Sequence, residues 1–531
     1  MASPQTNMVE LPSSSETRNL KLETPQVNVF AVHGVEPEVQ AYAMAKYSRS
    51  ALSMKESLRE ISEQKAEQFL NTFYFQYGHR SIADLAHIAF AIEKLSILAA
   101  ITVADEQRWD GQERSTRYQN FKKSGFYSPD FAGDEELRQF YTETIQLLFS
   151  EYESVSNEVA RYLATQVAKP EEMEQAQYDR TLRARAFDVS RYLLPLATNT
   201  SLGQIVNART LETQISRLLS HPHAEVRNLG ELLKQAASQP AYNVNQEKWQ
   251  ELVKQISALD PALGSQAKEQ LLKEVKASPT LVKYANPNPY EMETRSELAQ
   301  AVRELMKDAP IAPAPLVDLL EDEPLEVELA TTLLYGNCHY GYRQLREKVA
   351  GLSAARRDEI VDLGLRRRGR HDEMLRHFSA GQGFRFDILM DIGGFRDMHR
   401  HRRCIQVEQG FTTVHGADIP PEIEKAGMLD RYRRTMQRVE TTVWKIASSN
   451  LPEAEQSAQY AIPLAYRKRT LFKMDFAEAV YISELRTTPA GHQSYRNVAY
   501  AMYEAVARRH PALAKYFRVT DVRQPVDLLQ R

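Results

Sequence analysis

The sequence Tyr192-Leu193-Leu194-Pro195-Leu196-Ala197 decides the architecture, because it returns in the second half of the chain as Tyr460-Ala461-Ile462-Pro463-Leu464-Ala465. Both stretches are apolar turns around a single proline. The segments on either side of them also repeat in the same order along the chain. We therefore predict an internal duplication with two copies of one ancestral unit.

Strand-like segments stand at equivalent places in the two copies. Runs of β-branched and aromatic side chains predict strands at residues 87–92 and 384–389. Each strand follows a polar turn, Gly78-His79-Arg80-Ser81 in the first copy and Gly369-Arg370-His371-Asp372 in the second. A loop that leads into a strand is a good place for a ligand contact, although a capping or core role for His79 is the simpler alternative.

Helical periodicity fills much of the remaining chain. Apolar residues recur at three- and four-residue intervals in residues 39–47 and 58–70, and residues 135–191 are expected to form long helices. A β-branched run at residues 27–32 predicts one further strand. The fold class that we predict is α+β and helix-rich, with a small sheet in each copy.

The longest apolar stretch, residues 85–104, is interrupted by Glu93 and Lys94. Charges near the centre of a bilayer are costly, so this stretch is not expected to span a membrane. We predict instead a buried strand that continues into a buried helix.

Composition limits the class of protein. A length of 531 residues exceeds what one hydrophobic core normally supports, so at least two domains are expected. A net charge of -3 provides no field over the whole protein that would attract nucleic acid. Cys338 and Cys404 are far apart and have no metal-ligand spacing around them. We therefore expect no disulfide framework and no metal site, and a reducing cytoplasm fits.

The composition also changes along the chain. Residues 1–26 are polar, lack an apolar signal segment, and are predicted to be a disordered tail. Residues 27–235 form the first copy and residues 316–531 the second. Residues 236–315, rich in Gln, Lys, Ala and Pro, are predicted to be a spacer that is helical in part and ends in a semi-rigid Pro/Ala run.

The densest cationic stretch is Asp397-Met398-His399-Arg400-His401-Arg402-Arg403, which follows Ile392-Gly393-Gly394-Phe395. Guanidinium groups match phosphate geometry and keep their charge at any ordinary pH. A phosphorylated ligand is therefore the first hypothesis. The alternative is a solvated basic face that pairs with acids such as Asp391, Asp397 and Glu408.

The first copy carries a different set of anion-binding groups. Ser115 and Arg117 can point the same way in an extended loop and offer a hydroxyl and a guanidinium to one oxyanion. A further set stands near a predicted helix start, where anions bind well: Arg191, Asn207 and Arg209. The structural alternatives are that Arg191 pairs with Asp188 and that Asn207 only caps the helix.

Together these segments resemble the flavin-dependent thymidylate synthases, whose signature is Arg-His-Arg, a short spacer, and Ser-x-Arg. Arg400-His401-Arg402 is similar to its first part and Ser115-x-Arg117-Tyr118 to its last. Further similarities are Gly78-His79-x-Ser81, Arg191-x-x-Leu194-Pro195-Leu196, Val206-Asn207-Ala208-Arg209, and Leu485-Arg486 ahead of His492-Gln493-Ser494-Tyr495-Arg496. The resemblance covers both copies and implies a small, mostly antiparallel sheet in each.

Neither copy keeps the whole signature. Asp105-Glu106-Gln107 stands where the first copy would carry Arg-His-Arg, and Gly410-Phe411-Thr412 stands where the second would carry Ser-x-Arg. Downstream positions divide in the same way. The equivalent pairs in the two copies are Arg191 and Gln459, Asn207 and Asp475, Arg209 and Ala477, and Leu218 and Arg486. Complementary losses indicate a site that is built between the two copies.

The resemblance implies reductive methylation of dUMP to dTMP. Methylenetetrahydrofolate would supply the one-carbon unit, FAD would carry reducing equivalents and the methylene group, and a reduced nicotinamide such as NADPH would reduce the flavin. A flavin- or nucleotide-binding relative that has lost or altered methyl transfer is the alternative. A nucleic-acid-binding protein is a third hypothesis, which the lack of a basic stripe interleaved with aromatic residues disfavours.

The resemblance also implies roles for single residues. Those that would bind the nucleotide substrate are Glu113, Ser115, Arg117, Arg191 and Arg486. Arg400 and Arg486 would act in catalysis by polarising the uracil. Those that would bind FAD are His79, Ser81, Asn207, Arg209, Arg400, His401, Arg402 and Glu408. Glu113 and Glu408 hold equivalent positions, and the sequence leaves open which of them acts.

In the resembled family each active site is shared among the subunits of a homotetramer. A duplicated chain would then replace a dimer, and a homodimer of this chain would form a pseudo-tetramer in which half of the four sites are competent. The expected partners are a second copy and the small-molecule substrate, with no nucleic acid and no membrane.

Overall fold

The computed structural model describes residues 34–46, 58, 80–121, 123–369, 372 and 375–529. The predicted tail at residues 1–26, the predicted strand at residues 27–32 and His79 lie outside these ranges. Residues 36–531 belong to one compact unit.

Helices dominate the described chain, and short strands form two sheets. The strands are β1 (His87–Ser96), β2 (Asp110–Glu113), β3 (Asn199–Asn207), β4 (Val317–Leu319), β5 (Phe384–Asp391), β6 (Ile405–Glu408) and β7 (Arg467–Met474). The helices of the first half are α1 (Pro37–Lys46), α2 (Ile97–Ala104), α3 (Glu135–Gln166), α4 (Gln175–Ser190), α5 (Ala208–Leu219), α6 (Ala224–Ser238), α7 (Gln246–Leu259) and α8 (Pro261–Leu271). Those that follow are α9 (Pro289–Leu305), α10 (Leu325–Tyr335), α11 (Tyr342–Ala350), α12 (Ala354–Leu363), α13 (Ile392–Met398), α14 (Pro421–Lys425), α15 (Leu429–Ala447), α16 (Ala454–Gln459), α17 (Phe476–Arg486), α18 (Gln493–Arg509) and α19 (Pro511–Ala514). The predicted α+β, helix-rich class is confirmed.

Each copy contributes one sheet. The first sheet has the order β1-β3-β2 and the second has the order β4-β5-β7-β6. Every pairing in them is antiparallel, which confirms the small antiparallel sheets implied by the resemblance. The predicted strands at residues 87–92 and 384–389 lie within β1 and β5.

The stretch at residues 85–104 forms β1 and the buried helix α2, as predicted. In the part of the chain that the structure describes, no helix is long and apolar enough to cross a bilayer.

The same strand-to-helix junctions occur in both copies. At the end of β1 the Ser96 hydroxyl accepts a hydrogen bond from the Ala99 N–H, and at the end of β5 the Asp391 carboxylate accepts one from Gly394. Asn207 and Asp475 cap α5 and α17 in the same way. A side-chain acceptor at this position satisfies a free amide of the first turn and so begins the helix. These equivalent caps support the duplication.

The two copies meet at the repeated proline turns. Pro195 and Pro463 form an antiparallel bridge. The Leu196 N–H donates to the Ile462 carbonyl over 2.9 Å, and the Leu464 N–H donates to the Leu194 carbonyl over 3.0 Å. Each of these hydrogen bonds is the equivalent of the other when the two copies are interchanged. A pseudo-twofold axis therefore passes between the prolines.

The long helices α3 and α15 extend this contact. The hydroxyl groups of Thr144 and Thr442 lie 2.9 Å apart in a buried hydrogen bond. Arg431 of α15 donates to Glu151 and Glu158 of α3 over 2.5 and 2.7 Å. One hydrophobic cluster runs through both copies without a break. The copies therefore share a core rather than touching only at their surfaces.

Residues 236–315, predicted as a spacer, contain α7, α8 and α9 and pack on the rest of the unit. Leu281 and Val282 are fully buried. The Glu38 carboxylate of α1 accepts hydrogen bonds from the N–H groups of Thr280 and Leu281 over 2.9 and 2.8 Å. This segment is thus docked, a point that its composition did not predict.

Candidate functional site

Arg117 lies in a buried network after β2. Its Nε and Nη2 donate to the two carboxylate oxygens of Asp188 over 2.7 and 3.3 Å, and its Nη1 donates to the Tyr495 hydroxyl over 3.0 Å. Burial lowers the pKa of Arg117, but the Asp188 charge outweighs burial and raises the pKa above its ordinary value. A permanent cation of the first copy therefore contacts α18 of the second. The Ser115 hydroxyl accepts from the Arg117 backbone N–H over 3.2 Å.

Arg191 is almost completely buried, with 2% of the residue exposed. Its Nη1 lies 3.5 Å from Asp397, so its ion pair goes to this residue and not to Asp188, the alternative that the sequence offered. The guanidinium packs against the start of α13, since a Cβ at Gly393 would stand 3.5 Å from the Arg191 Nε, in ordinary contact. Among the described residues, no group accepts a hydrogen bond from its Nε or Nη2. A buried guanidinium with free donors is suited to an anion.

Asp397 is the point where the two copies converge. Burial raises the pKa of this carboxyl, but the positive charges of four arginines outweigh burial and bring the pKa below its ordinary value. In order of effect these are Arg191, Arg117, Arg486 and Arg400. Two of them belong to each copy. We call these four side chains, with Asp188 and Asp397, the arginine cluster.

The arginine cluster carries excess positive charge. Burial opposes ionisation of Asp188, but His492, Arg117 and Arg191 hold the pKa of this carboxyl well below its ordinary value. His492 is uncharged at neutral pH, because burial lowers its pKa to about 3. Four guanidinium groups then face two carboxylates, which leaves a net charge of +2. A phosphomonoester carries about -1.5 to -2 at pH 7 and would balance that charge.

His401 and Arg486 are joined by a hydrogen bond. Burial lowers the pKa of His401 although Glu478 opposes the effect, so the imidazole is neutral at pH 7. Its Nε2 can therefore accept from the Nε of Arg486, 2.7 Å away. The Arg486 guanidinium also lies 5.6 Å from the ring centre of Tyr495, the residue that accepts from Arg117. These contacts fix the direction of the Arg486 side chain.

A small cleft adjoins the arginine cluster. It has a volume of about 20 Å³, enough for about one water molecule, and Glu113, Arg400 and Arg402 are among its lining residues. Glu113 forms an ion pair with Arg396. Arg402 pairs with Asp110 over 2.8 Å. The cleft is too small to hold a nucleotide in this conformation.

The structure thus brings together eight of the residues predicted from sequence. They are Glu113, Ser115, Arg117 and Arg191 of the first copy and Arg400, His401, Arg402 and Arg486 of the second. No second chain is needed for this convergence.

The remaining predicted residues are placed elsewhere or lie outside the described ranges. Ser81 is exposed in a short 3-10 helix, and the Asn207 side chain caps α5. Arg209 and Glu408 line a different and much larger cavity. In one chain they do not share a cavity with Arg400 and Arg402.

The larger cavity has a volume of about 1050 Å³ and contains the Asp105-Glu106-Gln107 loop. Asp105 pairs with Arg376 over 2.5 Å, and Glu106 pairs with Arg217 over 2.8 Å. Residues 284–289 of the docked middle segment form part of its wall. The cavity is therefore the pseudo-symmetric counterpart of the arginine cluster, with acids where the second copy has cations.

Three possible metal ligands meet at this cavity. Atoms of Asp105, His399 and Glu408 lie within 4.8 Å of one another. Both carboxylates already have cationic partners, since Arg376 pairs with Asp105 and Lys468 pairs with Glu408 over 2.7 Å. Ion pairs already balance the charge of this group, and we assign no metal to it.

Sequence reasoning missed the groups that organise the site. In the sequence Asp397 is one of several acids that could neutralise the cationic stretch, and Tyr495 is part of a supporting motif. Arg396, which pairs with Glu113 and contacts Thr116, was not singled out. The repeated order of motifs was the one signal that pointed to a contact between the copies.

The chain is similar over most of its length to UPF0159 proteins. The protein of Chlamydia pneumoniae is 27% identical over 533 residues, covering 93% of this chain and 92% of the relative. The protein of Thermoplasma acidophilum is 26% identical over 518 residues, covering 90% and 94%. A flavin-dependent thymidylate synthase of Clostridium tetani is 24% identical over 195 residues, covering 36% of this chain and 74% of that protein.

One solved structure that aligns with the chain is that of a flavin-dependent thymidylate synthase of Helicobacter pylori in complex with FAD and dUMP. The sequence identity is 16% and the TM-score is 0.26, and the alignment covers 38% of this chain and 89% of the Helicobacter pylori chain. The model of the family described as thymidylate synthase complementing protein matches residues 32–240 and again residues 316–512. The resemblance and the tandem duplication are thereby confirmed. The chain belongs to the thymidylate synthase complementing protein family.

Proposed function

We propose that this chain is an FAD-dependent thymidylate synthase that methylates dUMP at one composite site made by both copies. The observation that supports the proposal most is the convergence of Arg117 and Arg191 with Arg400 and Arg486 on Asp397. Family membership and the similarity to the thymidylate synthase of Clostridium tetani favour the same reaction.

The nucleotide phosphate binds at the buried end of the arginine cluster. Arg191 offers Nε and Nη2, which have no acceptor among the described residues. Arg117 and the Ser115 hydroxyl stand on the same loop. Each charge-assisted hydrogen bond to a phosphate contributes about 1.5–3 kcal/mol. The excess charge of the cluster matches a phosphate dianion.

Arg486 acts on the pyrimidine. His401 accepts from its Nε and leaves the terminal nitrogens as donors. Arg400, whose side chain is exposed and whose charge acts on Asp397, is proposed as a second donor. Donors that are fixed before the substrate binds stabilise charge that develops on the uracil, and they lose no energy to reorganisation during the reaction.

The residues at the mouth of the small cleft fit a flavin nucleotide. Arg400 and Arg402 line the cleft, and the Arg402 guanidinium lies 5.8 Å from the ring centre of Trp109. Guanidinium groups suit a pyrophosphate, and contact with the buried indole holds the Arg402 guanidinium in place. When bound, FAD supplies the reducing equivalents and carries the one-carbon unit between methylenetetrahydrofolate and dUMP, with NADPH as the proposed reductant.

Of the two equivalent acids, we assign the role at this site to Glu113. Glu113 lines the small cleft beside Arg400, whereas Glu408 lines the larger cavity and pairs with Lys468. The position of Glu113 beside Arg400 supports this assignment to the first copy.

The other proposed flavin residues come from a second copy of the chain. His79, Ser81, Asn207 and Arg209 belong to the first copy, and Arg209 stands at a different cavity from Arg402. In a homodimer these groups can approach the small cleft of the partner. The pseudo-tetramer would then contain two complete sites.

Complementation tests the proposal. A thymidine-requiring host is transformed with the wild-type chain, with Arg191→Ala, and with Arg138→Ala, an exposed arginine on α3 that serves as the control. We expect growth without thymidine for the wild type and Arg138→Ala, no growth for Arg191→Ala, and a yellow purified protein. A protein that binds flavin and dUMP but supports no growth would identify the alternative, a relative without methyl transfer.

A further inference from the structure

The larger cavity lies apart from the proposed dUMP site. Its volume of about 1050 Å³ lies just above the range of about 300–1,000 Å³ that is usual for small-molecule sites. It is related to the arginine cluster by the pseudo-twofold axis between Pro195 and Pro463. It therefore has the same framework as the proposed nucleotide site.

The cavity lacks the counterparts of the residues proposed to bind phosphate at the other site. Gln459 and Gly410 line it where the other site has Arg191 and Ser115. The sequence position equivalent to Arg117 holds Thr412. The Arg-His-Arg positions hold Asp105, Glu106 and Gln107. Every exchange removes a hydroxyl or a positive charge, or adds a negative one.

The charges that remain are balanced. The lining contains six acidic and six basic residues, whereas the arginine cluster has a net charge of +2. Burial lowers the pKa of His223 to about 4 and that of His377 to about 3, so these lining imidazoles are uncharged. Most of the lining cations already have acidic partners, such as Arg376 with Asp105 and Lys468 with Glu408, and the Arg295 Nη1 donates to the Ser220 carbonyl. A phosphate would therefore gain little here to offset the loss of its hydration shell.

The wall offers other contacts to a ligand. Phe411 and Tyr284 line the cavity and provide aromatic rings. Gln409 is 1% exposed, and its side-chain oxygen accepts no hydrogen bond among the described residues. Gln107 and Gln459 add amide groups. Such a lining matches a flat, uncharged molecule with several hydrogen-bonding groups.

We propose that the larger cavity is a second ligand site and that it takes an uncharged heterocycle of the nucleoside class, not a nucleotide. The choice of a nucleoside rests on the proposed function, because the shared framework is that of the dUMP site. The cavity itself and its loss of phosphate-binding groups do not depend on it.

Binding of 2′-deoxyuridine, measured by titration calorimetry on the purified full chain, tests this site. Arg191→Ala removes a proposed phosphate-binding side chain from the arginine cluster. In this variant we expect 2′-deoxyuridine to bind as it does to the wild type, and at least tenfold more tightly than dUMP. Gly410→Phe fills the cavity, because a Cβ at Gly410 meets only the His339 ring, at 3.8 Å. It should weaken binding at least tenfold, while Gly383→Phe, at an exposed glycine away from the cavity, should not.

A second variant keeps the test decisive if Gly410→Phe fails to fold. Gln459→Arg places a guanidinium at the position equivalent to Arg191, and it should shift the preference toward dUMP by about tenfold. The proposal is overturned if 2′-deoxyuridine at millimolar concentration gives no binding to the wild type, if both glycine variants bind equally, or if FAD displaces the nucleoside. Failure of thymidine complementation would leave all of these results unchanged, so the two proposals fail separately.

Discussion

Pro195 and Pro463 face each other across an antiparallel bridge on the pseudo-twofold axis. Arg191 begins the turn that leads to Pro195, and Gly393 follows β5 and donates its N–H to the Leu464 carbonyl over 3.1 Å. The proline contact thereby brings Arg191 against the start of α13 and within 3.5 Å of Asp397. A backbone contact between repeated turns thus places a first-copy guanidinium among second-copy residues.

Leu196 and Leu464 on this axis are completely buried, so truncation to Ala leaves a cavity inside the shared core. We expect each variant to lower the free energy of unfolding by about 2–5 kcal/mol. Leu259→Ala, at a position that is 89% exposed, should change it by less than about 0.5 kcal/mol. Urea denaturation followed by circular dichroism measures these values. Two separate transitions, of which each variant shifts only one, would show that the copies do not share a core.

Arg117→Ala should abolish dUMP binding and leave the flavin bound, whereas Arg402→Ala should do the reverse. Flavin absorbance and dUMP titration measure the two affinities. Arg117→Ala also leaves the buried Asp188 without its bidentate partner, a change that can cost about 3–5 kcal/mol.

The double variant Arg117→Ala with Asp188→Asn removes that buried charge, so it separates lost stability from lost recognition. Arg117→Lys should restore little affinity, because a point charge lacks the two-pronged geometry. Equal loss of both ligands in the Arg117 and Arg402 variants would refute the assignment.

Glu113→Gln should reduce methyl transfer strongly, and Glu408→Gln should leave it within a few-fold of wild type. The physical reason is that Glu113 lines the small cleft with Arg400, while Glu408 lines the larger cavity. Product formation from labelled dUMP measures both rates. A larger loss in Glu408→Gln than in Glu113→Gln would place the reaction at the other cavity.

Asp391 makes stability depend on pH. Burial raises its pKa to about 6, compared with about 3.9 in an unfolded chain. The Asp391 carboxyl ionises at a lower pH in the unfolded chain than in the folded one. Its contribution to the free energy of unfolding is therefore fully present below about pH 4 and is lost as the pH rises through 6, a change of about 3 kcal/mol. Asp391→Asn keeps a cap for the Gly394 N–H and cannot ionise. Relative to wild type, this variant should therefore gain stability between pH 4 and pH 7 in urea denaturation, and a difference that is constant with pH would exclude the effect.

The order in which the motifs repeat along the chain predicts more of the structure than any single motif does. The alignment of Glu113 with Glu408 follows from the sequence, and the register bears it out, since these residues pair with Leu202 of β3 and Thr470 of β7 at equivalent places. The complementary losses predict a site between the copies, and the structure brings arginines of both copies together around Asp397, although their function stays a prediction.

Other features could not be read from sequence. Asp397 adjoins several cations in the chain, so its contact with the distant Arg191 depends on the fold and not on spacing. The segment at residues 236–315 has a composition typical of a linker, yet Leu281 and Val282 are fully buried. Its contribution to the wall of the larger cavity is a tertiary effect that no local pattern encodes.

Under the proposed function one chain supplies both sides of the dUMP site, and a mixing experiment tests this arrangement most directly. Arg191→Ala and Arg486→Ala are purified separately and also co-expressed, and dUMP binding is titrated for each sample. Because both residues serve the same site within one chain, we predict that each variant binds at least tenfold more weakly and that mixed dimers recover nothing. Recovery of wild-type affinity in about one quarter to one half of the sites of the co-expressed sample would contradict the claim, because it would show that the two arginines meet between chains.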